Sequence, residues 1–283
     1  MKVLITGSSG SIGAAVARAL PADTQRTGLD LVAGAETTHR GDIGDSKLLT
    51  RLMPGVDVVF HIAALHAPHV GRRSEADFRR INIDTTSALL EAALAAKVRR
   101  FVFTSTTSVY GCTTRARSEA IWVTEELPPN PEDIYDVTKL GAEDLCRRAS
   151  SPDLKVVVLR VARCFPEPPY LMAFYRLYRG VDLRDTARAH LLAAGATLKS
   201  YSVFNISAES PFLKSDCQLL WTNPWKVIDQ RANWLRRAFE DRHWPRPQRI
   251  DRVYVIERAK KELGYRPEYG VGDILSGRPS LPG

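Results

Sequence analysis

Apolar positions fall into short unbroken runs separated by stretches in which apolar residues recur every three or four positions. The runs are Val3 to Thr6, Thr27 to Leu31, Val56 to Ala63, Arg100 to Ser105 and Lys155 to Val161. Most are continuously apolar rather than alternating, the pattern of strands covered on both faces. Ile12 to Leu20 and Ile81 to Ala96 carry the helical spacing. Strand and helix alternate through the first two thirds, which predicts βαβ units and a doubly wound parallel sheet in an α/β fold. Past Val161 the pattern changes: Pro166, Pro168 and Pro169 interrupt the chain, a helical stretch Thr186 to Ala194 follows, and Tyr201 to Ile206 reads as a further strand. Four of the five tryptophans lie between Phe212 and Trp244. Within that segment Lys226 to Glu240 predicts one amphipathic helix, with Val227, Ala232, Trp234, Leu235, Ala238 and Phe239 available for burial. These aromatics either pack a small lobe or line a pocket. The expected division is 1–165 for the sheet domain and 166–283 for mainly a smaller lobe, with 186–206 returning to the sheet. Ser276 to Gly283, rich in Gly, Pro and Ser, reads as a frayed tail.

Directly after the first predicted strand stands Thr6-Gly7-Ser8-Ser9-Gly10-Ser11-Ile12-Gly13, followed by a helical run. Gly7 permits the tight turn, Gly10 lets backbone approach a pyrophosphate, and Gly13 lets helix and strand pack closely. The phosphates would meet N–H groups at the helix N-terminus. Asp30, about 20 residues downstream, stands where a ribose diol needs an acceptor. Together these predict a Rossmann-type dinucleotide site. A carboxylate at Asp30 repels a 2′-phosphate and so favours NAD over NADP, although Arg26 and Arg40 flank the strand and soften that preference.

Composition adds limits. The 283 residues are 44% hydrophobic and 25% charged, enough for a sizeable core and unlike a disordered chain. No run is long and apolar enough for a membrane span, and Met1 leads straight into a strand pattern with no leader visible, so a cytoplasmic protein is expected. The charge is +8, with 30 arginines against 10 lysines, which suits anionic partners. The arginine pairs are scattered rather than clustered among aromatics, so a small anionic or sugar substrate is favoured over nucleic acid. Cys112, Cys146, Cys164 and Cys217 show neither zinc nor disulfide spacing. His66 and His69 lack a third ligand nearby, so no metal is expected. His61 reads as the end of a buried strand, and His190 as a helix residue without a visible partner.

Tyr135 and Lys139 stand four apart at the start of a helical stretch, which puts them on one face. An ammonium beside a phenol favours the phenolate and lowers the tyrosine pKa, giving a usable general acid and base. A strand ending in hydroxyls, Thr104-Ser105-Thr106-Thr107-Ser108, precedes the pair.

In this order the motifs resemble an extended short-chain dehydrogenase/reductase of the NAD-dependent epimerase/dehydratase family. The resemblance covers nearly the whole chain. It rests on Thr6 to Gly13, Asp30, Gly41-Asp42-Ile43, Asp57 to Ala64, Asn82, Thr104 to Gly111, Tyr135-x-x-x-Lys139, Phe204-Asn205-Ile206 and Arg258 to Pro267. It implies that Ser11 and Ile12 touch the pyrophosphate, that Asp42 and Ile43 flank the adenine, and that Ala63, Ala64 and Leu65 lie along the cofactor. Asn82 supports the site, and Thr104 belongs to the cofactor set. Thr106 takes the place of the family's catalytic hydroxyl, Tyr135 is the acid/base, and Lys139 binds the nicotinamide ribose and tunes Tyr135. His66, Thr107, Arg163 and Arg184 are expected on the substrate side, with Arg179 nearby.

The chain departs from the family pattern in places. Tyr135 stands between Ile134 and Asp136 where proline and glycine are usual, a change expected to leave the chemistry untouched. Arg163 replaces a common asparagine, either as a fork for a carboxylate or phosphate or as an ion pair at a strand end. The resemblance implies hydride transfer at a hydroxyl-bearing carbon of a sugar or nucleotide-sugar, in the manner of a 4-epimerase. The short C-terminal lobe keeps open a uronate-type dehydrogenase that oxidises a small sugar acid with net release of NADH. A non-catalytic dinucleotide-binding sensor or scaffold is a third reading. The family also implies a homodimer formed through Ile81 to Ala96 and Tyr135 to Ala149.

Overall fold

A computed structural model describes residues 1–114 and 118–277; the last six residues of the expected frayed tail and the Cys112 side chain lie outside the described residues. The strands are β1 (Lys2–Thr6), β2 (Gln25–Asp30), β3 (His39–Arg40), β4 (Val58–His61), β5 (Arg100–Thr106), β6 (Ile121–Val123), β7 (Lys155–Val161), β8 (Tyr201–Ile206) and β9 (Arg252–Tyr254). Seven of them form one sheet in the order β3-β2-β1-β4-β5-β7-β8, and every pairing in it is parallel. The order reverses direction between β1 and β4, the switch point at which open α/β sheets bind ligands.

The helices are α1 (Ser11–Ala19), α2 (Ser46–Leu52), α3 (Glu75–Arg79), α4 (Thr85–Ala95), α5 (Ile134–Ala149), α6 (Pro169–Tyr175), α7 (Leu183–Gly195), α8 (Cys217–Thr222), α9 (Pro224–Arg231), α10 (Trp234–Asp241), α11 (Glu257–Glu262) and α12 (Val271–Leu275). One sheet face packs against α1 and α7 through Ala15, Val16, Ala187 and Ala193. The other packs against α2, α4 and α5 through Leu49, Leu89, Ala93 and Ala142. Covering both faces is what makes the strands continuously apolar. A separate core of Phe174, Phe212, Leu220, Trp225, Leu235, Phe239 and Val253 holds α6, α8, α9 and α10 together. There β6 and β9 pair as a short parallel ribbon.

Three local expectations are corrected. The helix predicted from Ile81 begins earlier, at Glu75, where Ser74 accepts the Asp77 N–H as N-cap. It then passes through a π-helical turn, Arg80–Asp84, before α4. The single helix predicted over Lys226 to Glu240 is two, because Ala232 leaves helical geometry at φ −148°, ψ 52°. That break turns Trp234 outward to 48% exposure while Leu235 and Phe239 stay fully buried. His190 does have a partner: its Nε2 meets the Thr104 hydroxyl at 2.7 Å.

Candidate active site

The glycine loop leaves β1 and enters α1 with almost no room to spare. Gly7 has a φ of +74°, and a Cβ there would lie 2.8 Å from the Ala63 nitrogen at the end of β4. A Cβ on Gly13 would lie 2.0 Å from the Gly7 carbonyl oxygen. Both positions therefore require glycine. The Gly10 N-cap offers no side-chain acceptor to the first turn of α1, so the N–H groups around Ser11 and Ile12 are left open to an acceptor such as a phosphate oxygen. Asp30 closes the loop from β2: its carboxylate accepts the Ser9 and Val32 N–H groups, each at 3.0 Å. Arg26 is turned elsewhere, onto the Ala17 carbonyl and Glu36. The donor set and the glycine cradle fit a dinucleotide.

The segment after β4 is stapled from below. Thr6 Oγ1 accepts the Ile62 and Ala63 N–H groups at 3.1 and 3.2 Å. Asn82, carried inward by the π turn, exchanges hydrogen bonds with both backbone groups of Leu65 and donates to Thr138 on α5. Asn82 thus shapes the wall formed by Ala63, Ala64 and Leu65. Asp42 caps its own turn through Gly44 N and meets Arg80 at 3.5 Å, while Ile43 is buried beside it.

Asp133 caps α5 by accepting the Asp136 N–H, and the helix then carries Tyr135 and Lys139 to the C-terminal end of β5. Lys139 is buried, with Nζ 4.1 Å from the Phe103 ring centroid. Loss of hydration lowers its pKa to about 8. Thr106 lies against the Tyr135 phenol, and its hydroxyl favours the ionised form. Burial outweighs that help, and Asp136, Cys164 and Asp133 add to it, so in the chain alone the phenol is held well above its ordinary pKa. Lys139 is not among the strongest influences on Tyr135, and the lowering expected from the four-residue spacing is not seen. Thr104 faces the opposite side of the sheet, onto His190, and Thr107 is buried.

A second polar cluster had no expectation attached to it. Glu143, one turn beyond Lys139, accepts two hydrogen bonds from Arg160 on β7, at 3.0 and 2.7 Å, and one from Ser105. Arg160 also donates to the Tyr110 hydroxyl, which donates in turn to Asn205 on β8. The readable signal was an arginine inside an otherwise apolar strand, which demands a buried partner.

On the substrate side, His66 stacks on Phe165 with centroids 5.7 Å apart, joining the loop after β4 to the segment after β7. Its ring Nδ1 is buried and makes no hydrogen bond among the described residues. Arg163 borders a small cavity lined also by Cys164, Phe165, Tyr175 and Arg176, and both arms of its guanidinium are held by Glu167 at 2.8 and 2.7 Å. Arg184 pairs with Asp182 and lies over the Tyr269 ring; Arg179 lies over Tyr175. Among the described residues no cluster of metal-ligating side chains is present, and no helix is long and apolar enough to cross a membrane.

Residues 3–168 match the family described as NAD dependent epimerase/dehydratase. The chain belongs to this family. A UDP-glucose 4-epimerase of Azospirillum brasilense is 33% identical over 56% of the chain and 48% of its own length. A dTDP-glucose 4,6-dehydratase of Streptomyces antibioticus is 34% identical over 94% of the chain and 88% of its own. Several other curated relatives are matched over only about half to two thirds of their length. Among solved structures, the UDP-glucose 4-epimerase of Thermotoga maritima with UDP-glucose superposes with a TM-score of 0.71 at 22% identity, covering 97% of this chain and 96% of that one. That likeness shows the shared α/β fold.

Proposed function

We propose that the chain is an NAD-linked oxidoreductase of the epimerase type, acting at a hydroxyl-bearing carbon of a sugar or nucleotide-sugar. The observation that carries this reading is the convergence of Thr106, Tyr135 and Lys139 at the end of β5 beside a loop in which Gly7 and Gly13 leave no room for a Cβ. Family membership and the matched nucleotide-sugar enzymes support it.

In this reading Gly7, Gly10, Ser11, Ile12 and Gly13 hold the pyrophosphate through backbone N–H groups, and Asp30 accepts from the ribose diol. Asp42 and Ile43 border the adenine side, and Ala63, Ala64 and Leu65 line the cleft with Asn82 behind them. NAD supplies a hydride acceptor when bound. Tyr135 takes the proton from the substrate hydroxyl and returns it, Thr106 orients that hydroxyl, and Lys139 brings positive charge that favours the phenolate. Thr104 braces the strand from behind through His190. His66, Thr107, Arg163 and Arg184 border the substrate. We also read the chain as a cytoplasmic homodimer that pairs through α4 and α5, on which Leu94 and Val137 are exposed.

The test is turnover with NAD across a panel of nucleotide-sugars, free sugars and sugar acids, read by NADH absorbance and by NMR of products. Inversion at a sugar carbon without accumulating NADH is expected. Net NADH from a uronic acid would replace this reading with the dehydrogenase one, and NAD binding with no turnover would leave a sensor. With an active substrate, Tyr135→Phe should lower turnover by about 10²–10⁴-fold, the usual contribution of a positioned acid/base, without unfolding the chain.

A further inference from the structure

Arg163 was expected to be either a fork for an acid or an ion pair at a strand end, and the structure makes it both. Its Nε and Nη2 donate to the two carboxylate oxygens of Glu167 at 2.8 and 2.7 Å, the side-on geometry by which a guanidinium holds any planar carboxylate. Both residues border a cavity that Phe165 and Arg176 also line, with about 20 Å³ free inside. That is room for one small group and not for a sugar ring. The cavity lies near the reacting end of the site. Val161, two residues before Arg163, is paired in register with Thr106, and Phe165 stacks on His66.

Two observations separate this contact from an idle surface ion pair. The first is the charge around the cavity. Of the charged side chains that border it among the described residues, two are arginines and one is a glutamate. Arg176 is 6% exposed, and its Nη2 reaches Asp182 only at 3.4 Å, while Arg184 grips the same carboxylate at 2.8 and 3.1 Å. Arg176 Nη1 is buried without a hydrogen bond among the described residues. A buried guanidinium so weakly paired leaves positive charge beside the cavity and favours a further anion there. The second is how Glu167 is mounted. It stands between Pro166 and Pro168, both exposed, whose rings fix the backbone φ. Side-chain rotation, rather than backbone movement, is what carries its carboxylate out to water.

We propose that this cavity receives a carboxylate carried by the substrate, and that Glu167 is its internal stand-in, filling the Arg163 fork in the free protein and yielding it when an acidic sugar docks. The proposal rests on the sugar-directed reading above and narrows it to sugars with an acidic substituent, with Glu167 setting the specificity. Glu167 is tethered four residues from Arg163, so a bare anion competes against a high local concentration of carboxylate. An acid delivered by a sugar already held in the cleft competes as a positioned group. The exchange swaps one carboxylate for another on the same fork, and no covalent bond changes.

The experiment compares wild type with Glu167→Gln, which keeps the shape and removes the charge, both loaded with NAD. Calorimetry measures Kd for two pairs of probes, glucuronate against glucose and UDP-glucuronate against UDP-glucose, each pair differing at C6 as carboxylate or hydroxymethyl. The acidic member of at least one pair should bind Glu167→Gln about threefold to tenfold more tightly than wild type, the range of one competing ion pair, with its neutral partner unchanged. Adding Arg163→Met to Glu167→Gln should remove the gain. Glu167→Asp, which draws the carboxylate back by one methylene, should show a smaller gain and decides the matter if Glu167→Gln does not fold. Equal affinity of the acid for wild type and variant would overturn the proposal, as would a gain shared by the neutral partner or one that survives Arg163→Met. Neutral sugars that bind with no response to Glu167 in either pair leave the sugar-directed reading standing and remove the inference. A gain confined to acids in a chain that turns over no sugar removes that reading and keeps the site. Failure of all four probes to bind removes both.

Discussion

Arg160 lies among the last residues of β7 and Arg163 just beyond the strand, and each grips a glutamate with two hydrogen bonds. Arg160 meets Glu143 at 3.0 and 2.7 Å; Arg163 meets Glu167 at 2.8 and 2.7 Å. The contacts are the same in chemistry and almost the same in length, but the side chains of the first pair are 7% and 4% exposed and those of the second 39% and 14%. Burial separates their roles. Inside, removing one partner strands a charge in a poorly solvated place, so the pair fixes β7 to α5 beneath the reactive groups. At the cleft mouth, water can replace either partner, so Arg163 is free to exchange Glu167 for another anion at little cost. Equal geometry therefore does not mean equal function.

The largest stress on this contrast is Arg160→Ala. It leaves Glu143 charged and buried, and also strips the Tyr110 hydroxyl of a donor. The expected loss is about 3–5 kcal/mol, a large part of the roughly 5–15 kcal/mol that holds a typical domain folded. Urea unfolding would show it as a lower midpoint. A loss below about 1 kcal/mol would place Arg160 in the same class as Arg163.

Acid stresses the buried polar groups as a set. His61 sits between the Thr6 and Thr86 hydroxyls and His190 between Thr104 and the Thr186 carbonyl. Burial lowers their pKa values to about 3 and about 4, against 6.5 for a free histidine. Below pH 6.5 the unfolded chain binds protons that the native chain refuses, so stability falls as pH falls, by up to about 1.4 kcal/mol per pH unit for each histidine. Asp185, whose burial raises its carboxyl to about 6, gains a proton in the native state over part of this range and opposes the trend. The wild type should therefore lose stability more steeply than His190→Asn between about pH 6.5 and 4, as read from urea midpoints. Parallel curves would mean that His190 can accept a proton in place.

The sheet, its order of motifs and the glycine loop were legible because each depends on short-range pattern: continuous apolar runs, and glycines where no Cβ fits. Tyr135 and Lys139 stood out by their spacing on one helix, whereas Thr106 was singled out among five successive hydroxyl residues only through the family resemblance. What the pattern could not show depended on contacts distant in sequence. The break at Ala232 exposed Trp234 because tertiary packing, not periodicity, chose which aromatics to bury. Glu143 and Arg160 looked like one charge on a helix and one in a strand until the fold put them 2.7 Å apart. Asp136 looked like a surface charge because its hydrogen-bond partner, Ser108, lies 28 residues earlier in the chain.

The smallest expected effect is the sharpest test of the contrast. Arg163→Ala removes a bidentate pair as well formed as that of Arg160, so a count of hydrogen bonds predicts a comparable loss. Solvent access predicts otherwise: Glu167 rehydrates once its partner is gone, and stability should change by no more than about 1 kcal/mol. The ring contacts of Arg163 with Phe165 and Tyr175, 5.5 and 5.9 Å from guanidinium to centroid, are long enough to add little. If Arg163 meets a substrate carboxylate or phosphate at the cavity it borders, the same variant should raise KM for anionic substrates and leave neutral ones unchanged, with kcat preserved in both. A stability loss matching that of Arg160→Ala would instead show that the strand end needs both pairs, and that exposure does not distinguish a rivet from a clamp.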